Sequence, residues 1–309
     1  GKKVSVSPYI STYSEGMSGS CSPKDLETML QLVYLYFTAP RADQEAFTSN
    51  MERTKAMLKN MELNPMITLS DSLNKVLYNN HPLTVRMKAE DYDKVDYAKA
   101  MEMYKDRFAD PNNFTFTFVG NIDPETFKPL VEKYLASLKK NKRKEDWKNI
   151  GLAVNDDNYV THYRKEMQDP KTSVYMIYNG DMEYNLYNDI YMEVLSDVLD
   201  IVYTKSIREE QGGTYGVGVM GQINNRPEDN FMFYIVFDTN DEVYATLMDI
   251  AKAGLKDVAE NGPRQEDLSK VLENKLKKRV EELQENRFWI NTIVSAERDN
   301  IDFVTEYEN

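Results

Sequence analysis

Residues 4–9 alternate, with Val4, Val6 and Pro8 on one side and Ser5, Ser7 and Tyr9 on the other, which predicts a strand. Pro8 suits an edge or a strand end. A second extended piece, Ser14 to Cys21, carries Gly16 and Gly19. Ser22-Pro23-Lys24-Asp25 then supplies a cap serine, a first-turn proline and an early acid. The helix it opens repeats Leu26, Met29, Leu30, Val33, Tyr34 and Phe37 at three- and four-residue spacing and stops at Ala39-Pro40. A second helix is predicted from Asp43 to Met61, with others near 65–78 and 93–109. Residues 113–119 alternate as a strand ending at Gly120-Asn121, and Asp123-Pro124-Glu125 opens a helix over 123–138 with Phe127, Leu130, Val131, Tyr134 and Leu138 inward.

The second part begins after a basic run at 139–144, read as a solvated linker because Glu145-Asp146 follow at once. Strands are predicted at 159–168 and 172–179, and a helix over 185–209 that buries Tyr187, Tyr191, Val194, Leu195, Val198 and Val202. Strands 214–221 and 231–238 follow. A helix from Asp241 carries Val243, Leu247, Ile250, Ala251 and Leu255 and stops at Asn261-Gly262-Pro263; another from Gln265 carries Leu268, Val271, Leu272, Leu276 and Val280. Both parts therefore read strand, strand, helix, Pro-Arg, helix, with Pro40-Arg41 and Pro263-Arg264 as the repeated punctuation. This predicts an α+β chain of two homologous domains, residues 1–145 and 146–309, each a mainly antiparallel sheet covered by helices. The first copy has a strand and helix (113–138) that the second lacks, and the second has elements at 159–209 that the first lacks. The expectation is a pair of domains clipped at both ends.

Composition narrows the function. Hydrophobic residues make up 41% of the chain, enough for a packed core. A net charge of −13 argues against a nucleic-acid surface. No run approaches the roughly 18 apolar residues of a membrane span, and no basic-then-apolar leader opens the chain. Cys21 is the only cysteine, so an internal disulfide is ruled out.

The densest candidate chemistry is Ile207-Arg208-Glu209-Glu210-Gln211-Gly212-Gly213-Thr214-Tyr215-Gly216-Val217, where a helix stops and a glycine-studded strand begins. A cation, Arg208, and a phenol, Tyr215, flank one corner and together can grip a polar main chain. The same residues also fit ordinary structure: an arginine meeting a helix dipole, a glycine stop, and a packing tyrosine. Gly216 and Gly218 fall on one strand face, which marks either the close approach of a ligand backbone or the packing of a helix. Elsewhere His81 reads as a turn residue in Asn80-His81-Pro82, His162 as rim or surface, and Glu228 and Asp229 as solvated loop acids. Cys21 has no histidine at a known distance that would make it a nucleophile.

Taken together, the Arg208–Glu210 and Gly213–Val217 stretch, Phe118-Val119-Gly120-Asn121-Ile122-Asp123 and Asn80-His81-Pro82 resemble the pitrilysin and insulin-degrading-enzyme family of zinc peptidases, which includes the mitochondrial processing peptidase. The resemblance implies four repeated α+β domains in two halves around a substrate chamber, with this chain most of the third and fourth. It implies that zinc is held by His-x-x-Glu-His and a later Glu in the first domain, outside these residues, and that this chain holds no metal or cofactor. It implies that Arg208 binds substrate main-chain oxygen and that Tyr215 acts as an auxiliary donor to the scissile region. The implied partners are a peptide or unfolded polypeptide and the catalytic N-terminal half, or a subunit supplying it. A bacterial periplasmic or other extracytoplasmic location goes with this resemblance. The alternative is an inactive structural or peptide-binding paralogue of the same fold.

Overall fold

The computed structural model describes residues 1–141, 143–209, 211–212, 214 and 216–302. The chain forms two compact units: one of residues 1–63, 87–148 and 281–309, the other of residues 64–86 and 149–280.

In the first unit β1 (Val4–Ile10) and β2 (Glu15–Cys21) pair antiparallel, Val4 opposite Cys21 and Ile10 opposite Glu15. Asp25 ties the following helix to this hairpin, its carboxylate accepting from the Lys3 amide at 2.9 Å and from Ser22 Oγ at 2.8 Å. Ser22 thus acts through Asp25 and makes no side-chain cap bond of its own. Helix α1 (Leu26–Thr38) lays Met29 and Val33 on Val6, with Phe37, Phe116 and Phe118 packed around them. Helix α2 (Gln44–Met61) starts on an Asp43 cap that accepts from Ala46 N, as the spacing predicts. Helices α4 (Tyr97–Arg107), α5 (Pro124–Tyr134) and α9 (Asn286–Asp299) complete the unit.

Residues 114–119 do not form the predicted strand. Phe114 is extended and its ring packs edge-on against Phe37, yet the segment joins no ladder among the described residues. Alternation reports which side chains turn inward; a ladder also needs a neighbouring strand, which alternation cannot report. The basic run is likewise more than a solvated linker. Arg143 binds Asp106 at 2.8 Å and Glu145, and its amide donates to Asp110 at 2.7 Å.

Arg143, and with it Arg107, holds the Asp106 carboxyl down to about 2. An unfolded aspartate titrates near 3.9. With the folded value the lower of the two, the stabilisation is full above the unfolded value and is lost as pH falls toward about 2. Folding stability of Asp106→Asn is therefore expected to fall less steeply than wild type between about pH 4 and 2. Equal slopes in acid-titrated unfolding would remove Asp106 from the acid response.

The second unit is built on a three-stranded antiparallel sheet ordered β3-β5-β4: β3 (Thr172–Asp181), β4 (Val217–Asn224) and β5 (Asn230–Thr239). Helices α6 (Leu186–Tyr203) and α7 (Tyr244–Asn261) join their apolar faces to that sheet's core. Met192, Leu199, Tyr203, Ile207, Ile235, Phe237, Leu247 and Ala251 form its centre. Gly262 closes α7 at φ 75° and ψ 169°, a conformation essentially reserved for glycine, at the stop expected of Asn261-Gly262-Pro263. Helices α3 (Pro65–Leu77) and α8 (Gln265–Glu282, to Val280) belong to this unit as well.

Three expectations change here. Residues 159–168 are exposed almost throughout and form no strand. On α6, Val198 is buried and Leu195 and Val202 pack on the core as expected, but Tyr187 and Tyr191 face solvent, and Met192, Ser196, Leu199 and Tyr203 complete the buried side. The thioether, leucine and Ala251-bonded tyrosine fill the core, while the two outer phenols stay wet. On α8 only Val271 is buried, and Leu272, Leu276 and Val280 are exposed.

Candidate functional site

The corner between α6 and β4 is shaped by its buried end. After Tyr203 the helix widens into a π-turn, Thr204–Glu209, a departure from α geometry often found at functional sites. Tyr203 is fully buried and its hydroxyl donates to the Ala251 carbonyl at 2.9 Å. Ile207, also fully buried, pins the middle of the π-turn into the same core. One residue on, Arg208 is exposed, and its guanidinium makes no hydrogen bond or ion pair among the described residues.

The chain then turns through Gly212, whose φ of 62° needs a residue without a Cβ, and whose amide donates to the Arg208 carbonyl at 3.2 Å. Thr214 closes the loop, donating to the Gly216 carbonyl at 2.9 Å and accepting the Gly216 amide at 3.2 Å. Gly213 and Tyr215 lie outside the described residues, so the partner expected for Arg208 is placed by sequence alone.

The glycine face is resolved by the helix's position. Val217, Val219, Gly221 and Ile223 turn toward α6, and a Cβ at Gly221 would meet Met192 Sδ and come within 2.9 Å of Ser196 Oγ. The opposite face carries exposed Gly218, Met220 and Gln222. A Cβ at Gly216 would meet nothing within 4 Å, and one at Gly218 only the Val236 carbonyl at 3.9 Å. Helix packing therefore explains Gly221 and leaves Gly216 and Gly218 bare. Accordingly Gly221→Ala is expected to destabilise the second unit by about 1–3 kcal/mol. Gly218→Ala should stay within about 0.5 kcal/mol. Denaturant unfolding of the two variants checks the contrast, and equal effects would contradict it.

Beside β4 lies a cavity of about 420 Å³, lined by residues 219–222, by Glu193, Ser196 and Asp197 of α6, by Asn274, Lys275 and Lys278 of α8, and by Tyr234. Lys275 bridges Glu193 at 3.0 Å and Asp197 at 2.9 Å. Burial pushes the Tyr234 phenol up to about 12, so it stays a neutral hydrogen-bonding group at physiological pH. Sequence reading missed these lining residues. The only trace of them in the sequence is the polar Asn274, Lys275 and Lys278 on one side of an amphipathic helix, and nothing in that pattern points to β4.

The remaining candidates are structural. His81 Nδ1 accepts the Leu83 amide at 3.3 Å, and Nε2 lies 3.4 Å from the Ile150 carbonyl. His162 is exposed. No three or more His, Cys, Asp or Glu side chains group into a metal site among the described residues. Asp229 accepts the Tyr184 amide at 3.1 Å and is a loop fastener rather than a free acid. Burial, then the Asp25 carboxylate, pushes the Cys21 thiol up, which disfavours the thiolate a nucleophile needs.

Both units carry the order strand, strand, helix, Pro-Arg, helix, which defines a duplicated α+β repeat, with Arg208 at a helix-to-strand corner of the second. Residues 94–275 match the family described as "Peptidase M16 inactive domain", and the chain belongs to that family. It is 27% identical over 287 residues to an Arabidopsis thaliana protein named "Zinc protease PQQL-like", covering 87% of this chain and 30% of that one. The structure of the periplasmic protease PqqL from Escherichia coli superposes with a TM-score of 0.80 at 19% identity, over 95% of this chain and 32% of that chain. The structure of the first half of that same protease also superposes, with a TM-score of 0.66 at 16% identity, over 96% of this chain and 66% of that chain. The chain thus spans about a third of its full-length relatives. No helix among the described residues is long and apolar enough to cross a membrane.

Proposed function

We propose that these residues form the non-metal, substrate-holding part of a zinc metalloendopeptidase. The carrying observation is Arg208: an exposed guanidinium, without a hydrogen bond or ion pair among the described residues, set on a π-turn whose next residue inward is fully buried. Such a group presents a planar fork of donors in a fixed direction, suited to main-chain carbonyl or carboxylate oxygens of a peptide. Tyr215, at the spacing the family resemblance implies, donates its hydroxyl to the carbonyl oxygen of the bond being cut as that oxygen gains charge. When bound, zinc supplies the activated water; its ligands belong to the catalytic N-terminal half or a partner subunit. The residues of this chain bind and orient the peptide. The substrate is a peptide or unfolded polypeptide, and the compartment is extracytoplasmic, in keeping with a relative described as periplasmic.

The full-length protease tests this reading. Loss of a charged hydrogen bond costs about 1.5–3 kcal/mol, so Arg208→Ala should raise KM roughly 10- to 100-fold while kcat changes far less. Unchanged KM would leave Arg208 a helix-end residue only.

A further inference from the structure

We propose that the outer edge of β4 is a strand-addition site, where an extended polypeptide lies along residues 217–224 as an added strand, held chiefly through its main chain. The proposal rests on the substrate-holding reading above and extends it from one corner to a track.

Sheet order comes first. β5 sits between β3 and β4, so β4 pairs on one side only, and its outward backbone N–H and C=O groups have no partner among the described residues. Chains normally protect such an edge with proline, lysine, a bulge or a covering element. Val217-Gly-Val-Met-Gly-Gln-Ile-Asn224 has no proline and no charge, and pairs with β5 residue for residue without a bulge. The other edge, β3, differs: Asn179 of β3 donates to the Asn155 carbonyl at 3.2 Å, so a chain segment already lies against it.

The cavity supplies the second observation. Four consecutive residues, 219–222, line it although their side chains alternate between the two faces of the sheet. A space touched by both parities lies along the strand's edge. Its far wall is α8, with α6 beneath, which leaves a groove beside a strand length of about 13 Å. Two acids, Glu193 and Asp197, and two bases, Lys275 and Lys278, line it, so its charge is balanced. Balanced charge selects neither cationic nor anionic side chains, while unpaired main-chain groups select any extended backbone. The class of ligand that follows is an extended, unstructured segment of loosely constrained sequence.

The test uses the full-length protease, treated with a chelator to stop cleavage, and a 12-residue unstructured peptide. Hydrogen exchange is followed in the fragment covering residues 217–224, and binding is repeated with peptides N-methylated on one alternating set of residues or the other. Strand addition predicts roughly tenfold slower exchange of about half the β4 amides on binding. It also predicts a loss of affinity of about tenfold for one N-methylated set and near-wild-type affinity for the other. Peptide binding with unchanged β4 exchange overturns the proposal; if Arg208→Ala then still weakens binding, the clamp reading survives without it. Protected β4 amides with no response to Arg208→Ala leave the edge site standing and remove the clamp. Absence of peptide binding overturns both.

Discussion

Replacing Tyr215 by Phe in the full-length protease is expected to lower kcat by about 10²- to 10³-fold while KM stays within a few-fold of wild type. The substitution removes one hydroxyl and keeps the ring. A donor aimed at an oxygen that becomes charged only during reaction acts on the transition state far more than on the bound peptide. Its loss typically costs about 2.7–4 kcal/mol in activation free energy. Steady-state kinetics with a fluorogenic peptide separate the outcomes. A variant with wild-type kcat would make Tyr215 a packing residue; a raised KM alone would give it a role in ground-state binding.

The second large effect is expected at Tyr203. Its ring is fully buried between α6 and α7, its hydroxyl bonds the Ala251 carbonyl, and a Cβ at Gly254 would stand 2.9 Å from the ring. Tyr203→Ala should destabilise the second unit by about 3–5 kcal/mol, the cost of emptying an aromatic site in a packed core. Tyr203→Phe keeps the ring and should lose only about 0.5–1.5 kcal/mol. Because Tyr203 immediately precedes the π-turn, Tyr203→Ala is also expected to weaken peptide binding at temperatures where the unit remains folded. Denaturant melts of the isolated variants, compared with peptide affinity at low temperature, check both statements. A Tyr203→Ala protein as stable as wild type would show that the corner is not anchored from this core.

The parts of this fold legible in the sequence are those set by local rules. The caps at Asp43 and Asp123 and the Gly262 stop depend on residues close in sequence and fall where the pattern puts them; the β4–β5 hairpin also forms, with β4 at Val217–Asn224 rather than 214–221. What the pattern could not decide depended on distant partners. Residues 114–119 alternate cleanly but join no ladder among the described residues, and on α6 only the fold separates the exposed Tyr187 and Tyr191 from the buried Val198. Gly216, Gly218 and Gly221 look alike in the sequence; the position of Met192 separates the packed glycine from the open ones. The edge position of β4 was also hidden, because β5 follows β4 in the chain yet takes the centre of the sheet. Arg208 was legible through its motif, while its exposure beside the buried Ile207 required the folded corner.

That the corner touches substrate is tested most directly by photo-crosslinking. A peptide substrate carrying a benzoyl-phenylalanine near its scissile bond is bound to the chelator-treated full-length protease, irradiated and mapped by mass spectrometry. Labels within residues 208–222 are the expected result, reduced when Arg208 is replaced by Ala. Labels confined to parts of the protease outside these 309 residues would contradict a substrate-holding role for this chain.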